Sequence, residues 1–217
     1  IWIFSFEIRR IFMGAVAVID CDFGNLRNLC RGVRMAGGAP EILDNSAGLE
    51  HYSHVILPGV GAFPKAMETL NNLGFSDKLK ELIAEKRIVL LGVCLGMQLL
   101  ANESEEAGGA EGLGLITGKV SFLKPTELNE PIPHVGWNGI DHDETHELLE
   151  GVTSGKDFYF VHSLSFQTED PADAISTTNY CGELVSMVGR GVVMGTQFHP
   201  ELSSRSGIRI LRNFLNM

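Results

Sequence analysis

Residues 88–98 read IVLLGVCLGMQ, and this stretch decides the fold. Its first six residues form an apolar run of the kind found in strands that are buried on both faces of a parallel sheet. A helix is predicted to follow over residues 95–103. Gly92 and Gly96 flank Cys94, where a tight turn from strand to helix leaves no room for Cβ atoms. The stretch therefore predicts a nucleophile elbow, a sharp strand-to-helix turn that presents a reactive side chain at the edge of a sheet.

Strands and helices alternate on the N-terminal side of this stretch. The predicted elements there are strands at 15–20, 41–43 and 54–58 and helices at 24–36 and 76–87. Ser76 is the expected N-cap of the second helix, because a serine side chain can accept a hydrogen bond from the first turn. Alternating strands and helices of this length indicate a parallel sheet covered by helices on both faces.

The second half of the chain has a different pattern. Short segments separated by glycine, asparagine and proline predict antiparallel hairpins that extend the sheet, and a helix is predicted at 206–217. The predicted fold class is therefore α/β, a single domain with a central, mostly parallel sheet flanked by helices and with antiparallel strands added in the second half. We assign this domain to residues 13–217 and expect residues 1–12 to be an extension outside it.

Composition limits the classes of function. The 217 residues carry a net charge of −10 and no basic stripe, so nucleic acid is not an expected partner. We expect no membrane span, because no apolar run approaches about 20 residues, and no secretory leader. The four cysteines form no C-x-x-C pair, which favours a reducing, cytoplasmic location over a zinc site or a disulfide framework. His142 and His146 lie in an acidic segment that we interpret as a solvated loop, so no metal site is predicted.

Cys94 has two interpretations. Most cysteines of this kind are small buried apolar residues. The flanking glycines and the strand-to-helix context instead favour a nucleophile, because the start of a helix favours a negatively charged thiolate. The backbone amide of Leu95 would then point to where an oxyanion forms.

A thiol nucleophile needs a base, and the base needs a group that fixes its tautomer. His199 is the candidate base because it precedes Pro200 and Glu201. A proline favours an extended conformation in the residue before it, which here is His199. In an extended chain, residues two apart project to the same side, so Glu201 is expected to reach the imidazole. One strand end would therefore supply both groups.

The segment Pro58-Gly59-Val60-Gly61 follows a predicted strand at the sheet edge where Cys94 should emerge. Taken alone it is a glycine turn, and it lacks the lysine and serine or threonine of a phosphate-binding loop. Beside an elbow cysteine, such a turn can offer a second backbone N–H to an oxyanion.

Five motifs occur in an order known from one enzyme family. They are P-G-V-G-A-F (58–63), G-V-C-L-G-M-Q (92–98), H-V-G-W-N (134–138), V-H-S (161–163) and Q-F-H-P-E (197–201). On these motifs, residues 14–217 resemble the class I glutamine amidotransferases, and within that family most of all the glutaminase subunits of imidazole glycerol phosphate synthase. The combination of G-x-C-x-G-x-Q with H-P-E is specific for the class.

The resemblance implies a role for each motif residue. Cys94 would be the nucleophile that attacks the side-chain amide of L-glutamine, His199 the base and Glu201 its orienting group. The backbone amides of Val60 and Leu95 would bind the oxyanion, and no cofactor is implied. The residues implied to hold the substrate are Gly59, Gln98, Glu106, His162 and Ser163.

The resemblance also implies a partner, a (β/α)8-barrel cyclase that forms a heterodimer with this chain and uses its ammonia in histidine biosynthesis. The residues implied at the interface are Asn25, His134, Trp137, Asn138 and Leu202. The family usually has lysine where this chain has Leu202, which leaves open a paralogous subunit that supplies ammonia for a surface-polysaccharide sugar. Two further functions stay open, a stand-alone cysteine hydrolase and a non-catalytic activator subunit.

Overall fold

The computed structural model describes residues 14–21, 25–126, 130–143 and 145–217. The predicted extension at residues 1–12 lies outside the described residues and stays a prediction. The strands are β1 Ala15–Ile19, β2 Ala39–Leu43, β3 His54–Gly59, β4 Val89–Cys94, β5 Glu103–Ser104, β6 Ala110–Glu111, β7 Gly118–Phe122, β8 His134–Ile140, β9 Lys156–His162, β10 Leu164–Thr168, β11 Ala174–Asn179, β12 Glu183–Arg190 and β13 Val193–Thr196. The helices are α1 Leu26–Ala36, α2 Phe63–Asn72, α3 Phe75–Ala84, α4 Leu95–Gln98 and α5 Ser204–Leu215.

The central sheet has seven strands in the order β11-β12-β13-β4-β3-β1-β2. The five strands from β13 to β2 are parallel to their neighbours, and β12 and β11 are added antiparallel at one edge. This confirms the predicted fold class. The hairpins of the second half extend the sheet only in part, because β7 and β10 pair within a separate four-stranded sheet and β8 pairs with β9 alone.

The core lies on both faces of the central sheet. Successive residues of a strand point to opposite faces, so Ile56 of β3 packs with α1 and α5 and Leu57 packs with α2 and α3. The centre of the sheet is therefore covered on both sides. This burial explains why β3 and β4 are continuous apolar runs instead of alternating ones.

The predicted start of α3 is wrong. The helix begins at Phe75, and its N-cap is Gly74 in a left-handed conformation with φ of 75°. The N–H of Gly74 bonds to the carbonyl of Asn71, which closes the turn that joins α2 to α3. Ser76 therefore lies inside the first turn, where it is buried, instead of capping it.

The helix predicted at 95–103 is also shorter than expected. It ends at Gln98, and the backbone N–H of Asn102 then donates to the carbonyl of Gly118 in β7. Glu103 and Ser104 join the second sheet as β5, so pairing with β7 overrides the local helical pattern. No helix among the described residues is both long and apolar enough to cross a membrane.

Replacing Gly96 with alanine is expected to lower the free energy of unfolding by about 3 kcal/mol or more, as strong overpacking does. A Cβ at this position would lie 1.8 Å from the carbonyl oxygen of Leu57, a backbone atom of β3 that cannot move aside. Urea denaturation measures the change. The graded control is Gly139→Ala, whose Cβ would lie 3.2 Å from the carbonyl oxygen of Gly155 and should cost less. Equal stabilities for Gly96→Ala and the unaltered protein would contradict this packing.

Candidate active site

Cys94 is the last residue of β4, and α4 begins at the next residue. Its φ of 55° and ψ of −111° form a backbone conformation that residues other than glycine rarely adopt, at a cost of about 1–3 kcal/mol. A Cβ on Gly92 would lie 2.5 Å from the carbonyl oxygen of Gly96, so the turn excludes larger residues there. The predicted sharp strand-to-helix turn at Cys94 is therefore present, and Gly59 of β3 is the register partner of Cys94.

The loop after β13 brings His199 to the same edge of the sheet, since β13 is the parallel neighbour of β4. The backbone N–H of His199 donates to the carbonyl of Tyr159, 2.9 Å away. His199 itself is extended as predicted, with φ of −94° and ψ of 100°, but the chain does not stay extended to Glu201, because residues Pro200–Leu202 form a 3-10 turn. The serine at position 203 stabilises this turn, since its Oγ donates to the carbonyl of His199 over 2.6 Å.

The 3-10 turn nevertheless pairs the imidazole with the carboxylate. His199 Nδ1 lies 2.9 Å from Glu201 Oε1, and both side chains are less than a tenth exposed. The pairing places a proton on Nδ1, so Nε2 is the nitrogen that is left to act on Cys94. Nε2 has no partner at full hydrogen-bond geometry among the described residues.

The charge state of His199 depends on its two neighbours. Burial alone would lower its pKa, but hydrogen bonding to the Cys94 sulfur and the Glu201 carboxylate, together with their negative charge, outweighs burial and raises the pKa of His199 to about 10. The imidazole is therefore protonated at neutral pH, and its positive charge faces Cys94. A positively charged imidazole is the neighbour that a cysteine nucleophile needs in order to react.

Cys94 opens into a cleft of about 300 Å³. The cleft is lined by Val60, Gly61, Cys94, Leu95, Gln98, Glu106, Pro133, Val161, His162, Ser163 and Leu164. Such a volume suits a ligand of the size of one amino acid. Glu106 is a charged group in its wall, and one of its carboxylate oxygens accepts from the backbone N–H of Phe63 over 2.6 Å.

The two predicted oxyanion donors, Val60 and Leu95, follow two neighbouring strands of the sheet. Leu95 is the first residue of α4, and Val60 follows Gly59 at the end of β3. Val60 is 41% exposed and precedes Gly61, whose φ of 107° requires glycine. The two amides therefore belong to turns at neighbouring strand ends, as an oxyanion site would need.

The predicted substrate residues fall into two groups. Gln98, Glu106 and Ser163 line the cleft with polar groups, whereas Gly59 lies behind it in β3. His162 also lines the cleft, but both ring nitrogens are engaged inside the protein, with the carbonyl of Leu164 at 2.8 Å and a second histidine at 2.9 Å. The two ring nitrogens of His162 are therefore both occupied by groups of the protein itself.

Four of the predicted interface residues are exposed or half-buried. Trp137 on β8 is 49% exposed, and the neighbouring Asn138 is half-buried and donates to the carbonyl of Asn179. Leu202 is half-buried beside a groove between α1 and α5. Asn25 is exposed, and its side chain caps the start of α1.

His134 departs from the predicted interface position. Its side chain is only 1% exposed, because the ring stacks between Phe160 and Tyr180 and donates toward His162. A partner cannot contact this imidazole directly while it is buried there. The position of His134 at the start of β8 is near the cleft, but its role is inside the protein.

Gln197 is a residue of the site that the sequence analysis did not single out. Its side chain is 1% exposed, and its Nε2 lies 3.7 Å from the sulfur of Cys94. The sequence held a signal, since Gln197 begins the motif that contains His199. Its approach to the sulfur, however, depends on the pairing of β13 with β4, which local sequence does not specify.

Comparison with known sequences gives a consistent family. Residues 17–217 match the family profile described as glutamine amidotransferase class-I. A protein of Rhodospirillum rubrum named imidazole glycerol phosphate synthase subunit HisH is 42% identical over 208 residues, covering 92% of this chain and 97% of that protein. A protein of the same name from Moorella thermoacetica is 40% identical over 202 residues, covering 93% of this chain and 94% of that protein.

Solved structures share the fold. One crystal structure, described as a glutamine amidotransferase, has a TM-score of 0.73 at 21% identity and covers 92% of this chain and 96% of that chain. The structure of PurLQS from Thermotoga maritima has a TM-score of 0.72 at 15% identity and covers 94% of this chain and 98% of that chain. At these identities the likeness concerns the fold alone.

Glu201→Gln should lower the pKa of His199 by roughly 1–3 units, because it removes one of the two negative groups that raise it. NMR titration of the ring signals of labelled histidine measures this. The raised pKa of His199 stabilises the folded protein. This stabilisation is complete below about pH 6.5 and disappears as the pH rises towards 10, so the variant should be less stable than the unaltered protein at neutral pH. Glu81→Gln on the exposed face of α3 is the control. An unchanged pKa in Glu201→Gln would contradict the pairing.

Proposed function

We propose that this chain, which belongs to the class I glutamine amidotransferases, is the glutaminase subunit of an imidazole glycerol phosphate synthase. The observation that carries the activity is a cysteine held at a sharp strand-to-helix turn, together with an imidazole that is paired with a buried carboxylate. The names of its relatives support this member of the family. In this proposal the chain acts in the cytoplasm, as a heterodimer with a (β/α)8-barrel cyclase in histidine biosynthesis.

The reaction begins with a Cys94 thiolate and a protonated His199. The sulfur attacks the side-chain amide carbon of L-glutamine, and the backbone amides of Val60 and Leu95 stabilise the oxyanion that forms. His199 then gives its proton to the amide nitrogen, the C–N bond breaks, and ammonia leaves a γ-glutamyl thioester. The neutral imidazole takes a proton from water, which attacks the thioester and releases glutamate and the thiolate.

The cleft offers complementary groups for the two ends of the substrate. Glu106 supplies a negative charge for the α-ammonium group of glutamine, since only one of its oxygens is occupied by the N–H of Phe63. Gln98 uses its amide nitrogen inside the protein, which leaves its carbonyl oxygen for the ligand. The backbone of residues 162–163 completes the wall. A glutamine bound in this way would have its side-chain amide at the Cys94 sulfur.

Exposed apolar side chains around the cleft support a protein partner. Val135, Trp137 and Val161 lie on β8 and β9 and are 55%, 49% and 38% exposed. Val60 lines the cleft and Ile132 precedes the lining residue Pro133, and both are also exposed, so these side chains together form an apolar surface of the kind that partners cover. A barrel docked there would exclude water and receive the ammonia directly.

Cys94→Ala should abolish glutamine hydrolysis and leave the protein folded, because the sulfur is the nucleophile. His199→Ala should lower kcat by about 10²–10⁴, the usual contribution of a general base, and Glu201→Gln should be milder because the imidazole remains. Ammonia release in the presence of the barrel subunit measures all three. Cys30→Ala, which alters a buried cysteine of α1, is the control and should stay active. Hydrolysis by Cys94→Ala would contradict the mechanism.

Genetic complementation tests the pathway. A histidine auxotroph without its own glutaminase subunit should grow without histidine when it expresses this chain and its native barrel subunit. The Cys94→Ala control should support growth only with abundant ammonium, since the barrel can use free ammonia. Absence of growth, despite soluble protein that hydrolyses glutamine, would contradict the histidine assignment and favour the sugar-modification paralogue.

A further inference from the structure

We propose that Gln197 donates a hydrogen bond to the Cys94 sulfur and so favours the thiolate, and that the backbone carbonyl of Leu164 fixes the side-chain amides in the orientation this requires. The inference rests on the proposed function, in which the thiolate is the nucleophile. It assigns to Gln197 a part in catalysis beside the triad of Cys94, His199 and Glu201.

Gln197 is held at both ends. Its backbone N–H donates to the carbonyl of Ser186 in β12 over 2.9 Å, which fixes the residue just after β13. Its side-chain Oε1 accepts from Nε2 of Gln98 over 3.0 Å, and its Nε2 lies 3.7 Å from the Cys94 sulfur. The side chain is buried and does not line the cleft. Its contact with the site is therefore the sulfur and not the substrate.

The backbone carbonyl of Leu164 determines the orientation of the Gln197 amide. The carbonyl of Leu164 can only accept, so Gln98 must turn its Nε2 towards it, and the distance is 3.1 Å. The same nitrogen of Gln98 also faces Gln197, so Gln197 must accept this hydrogen bond with its side-chain oxygen, Oε1. If the Gln197 amide were rotated by half a turn, two NH₂ groups would face each other in a buried site, at the cost of unsatisfied donors. The amide nitrogen therefore faces Cys94.

The same carbonyl orients a second branch of the network. His162 Nδ1 donates to the Leu164 oxygen over 2.8 Å, which leaves Nε2 to accept from Nδ1 of His134 over 2.9 Å. Burial lowers the pKa of His162 to about 4 and also lowers the pKa of His134. Both rings are therefore neutral at physiological pH. Since a carbonyl oxygen has two lone pairs, the two donors together satisfy it and hold it in place.

One group opposes the thiolate. The Cys94 thiol donates to the carbonyl of Val161 over 3.7 Å, and a carbonyl oxygen at that distance disfavours negative charge on the sulfur. Around the sulfur, the titratable groups are His199 with Glu201 behind it, and His162 and Glu106 in the cleft wall. His199 is the positive group among them. Gln197 adds a neutral hydrogen-bond donor that favours the thiolate. Because an amide does not titrate, its contribution does not vary with pH.

The experiment measures the pH dependence of Cys94 alkylation by iodoacetamide in the full-length chain, read from the Cys94 peptide by mass spectrometry. Gln197→Met removes the donor and should move the midpoint upwards by about one pH unit, a tenfold change in ionisation. Gln197→Glu has nearly the same shape but replaces the donor by a negative charge, so it should raise the midpoint further than Gln197→Met does. The kcat for glutamine should fall about tenfold in Gln197→Met, with KM unchanged, because the side chain does not touch the substrate.

The matched control is Thr196→Val at the neighbouring position. It removes a buried hydrogen bond from Oγ1 to the carbonyl of Phe198 that does not involve the sulfur, so the midpoint should not move. A midpoint that shifts in Gln197→Glu but not in Gln197→Met would overturn the proposal, because charge alone would then act. A raised KM with unchanged kcat and midpoint would also overturn it.

Circular dichroism and thermal unfolding identify a variant that fails to fold. If Gln197→Met does so, Gln98→Met carries the test: without Gln98 the Gln197 amide can rotate, and the midpoint should rise by a smaller amount. No rise would overturn the proposal. Alkylation needs neither glutamine nor a partner, so a failure of the glutaminase proposal would appear separately, as absent ammonia release by the unaltered chain with its barrel.

Discussion

The backbone is packed so closely at the β4–α4 corner that Cβ atoms do not fit at two positions around Cys94: the start of α4 lies against β3 and also against β4. An added Cβ would meet the Leu57 carbonyl at Gly96 and the carbonyl of Gly96 itself at Gly92. This approach gives Cys94 its positive φ and brings Gly59 opposite to it. The site depends on these two contacts between backbones, because they set the positions of Cys94 and of the first amide of α4 relative to the end of β3.

The second side of the site is assembled from segments that are far apart in sequence. The backbone N–H of His199 donates to the carbonyl of Tyr159, and the backbone N–H of Tyr159 donates to the Oγ of Ser203 over 3.0 Å. Phe158 stacks on Phe198 beneath them, with ring centroids 4.2 Å apart. The 3-10 turn that carries the orienting carboxylate is therefore held by β9. Since β9 also supplies residues 161 and 162 to the cleft, one strand connects the base, the substrate wall and the exposed rim.

Two buried histidines beside the same sulfur have opposite charge preferences. His199 has the Cys94 sulfur and the Glu201 carboxylate as neighbours, and their hydrogen bonds and negative charge raise its pKa to about 10 in spite of burial. His162 has a neutral carbonyl and a neutral ring, and burial lowers its pKa to about 4. Burial disfavours the charged form in both cases, so the difference comes from the charge of the partner. The site thus keeps one cation next to Cys94 and a neutral network behind it.

The sequence by itself determined the α/β class and the sharp turn at Cys94, because apolar runs and flanking glycines act over a few residues. It also paired His199 with Glu201, but through an extended chain, whereas a 3-10 turn makes the pair in the structure. It misplaced the start of α3 at Ser76 and extended α4 to residue 103, where a turn and the pairing with β7 prevail over helical pattern. Only the tertiary structure decided that His134 is buried and that Gln197 meets the sulfur. Those contacts join strands and loops distant along the chain, and no local pattern encodes which distant polar groups will satisfy one another.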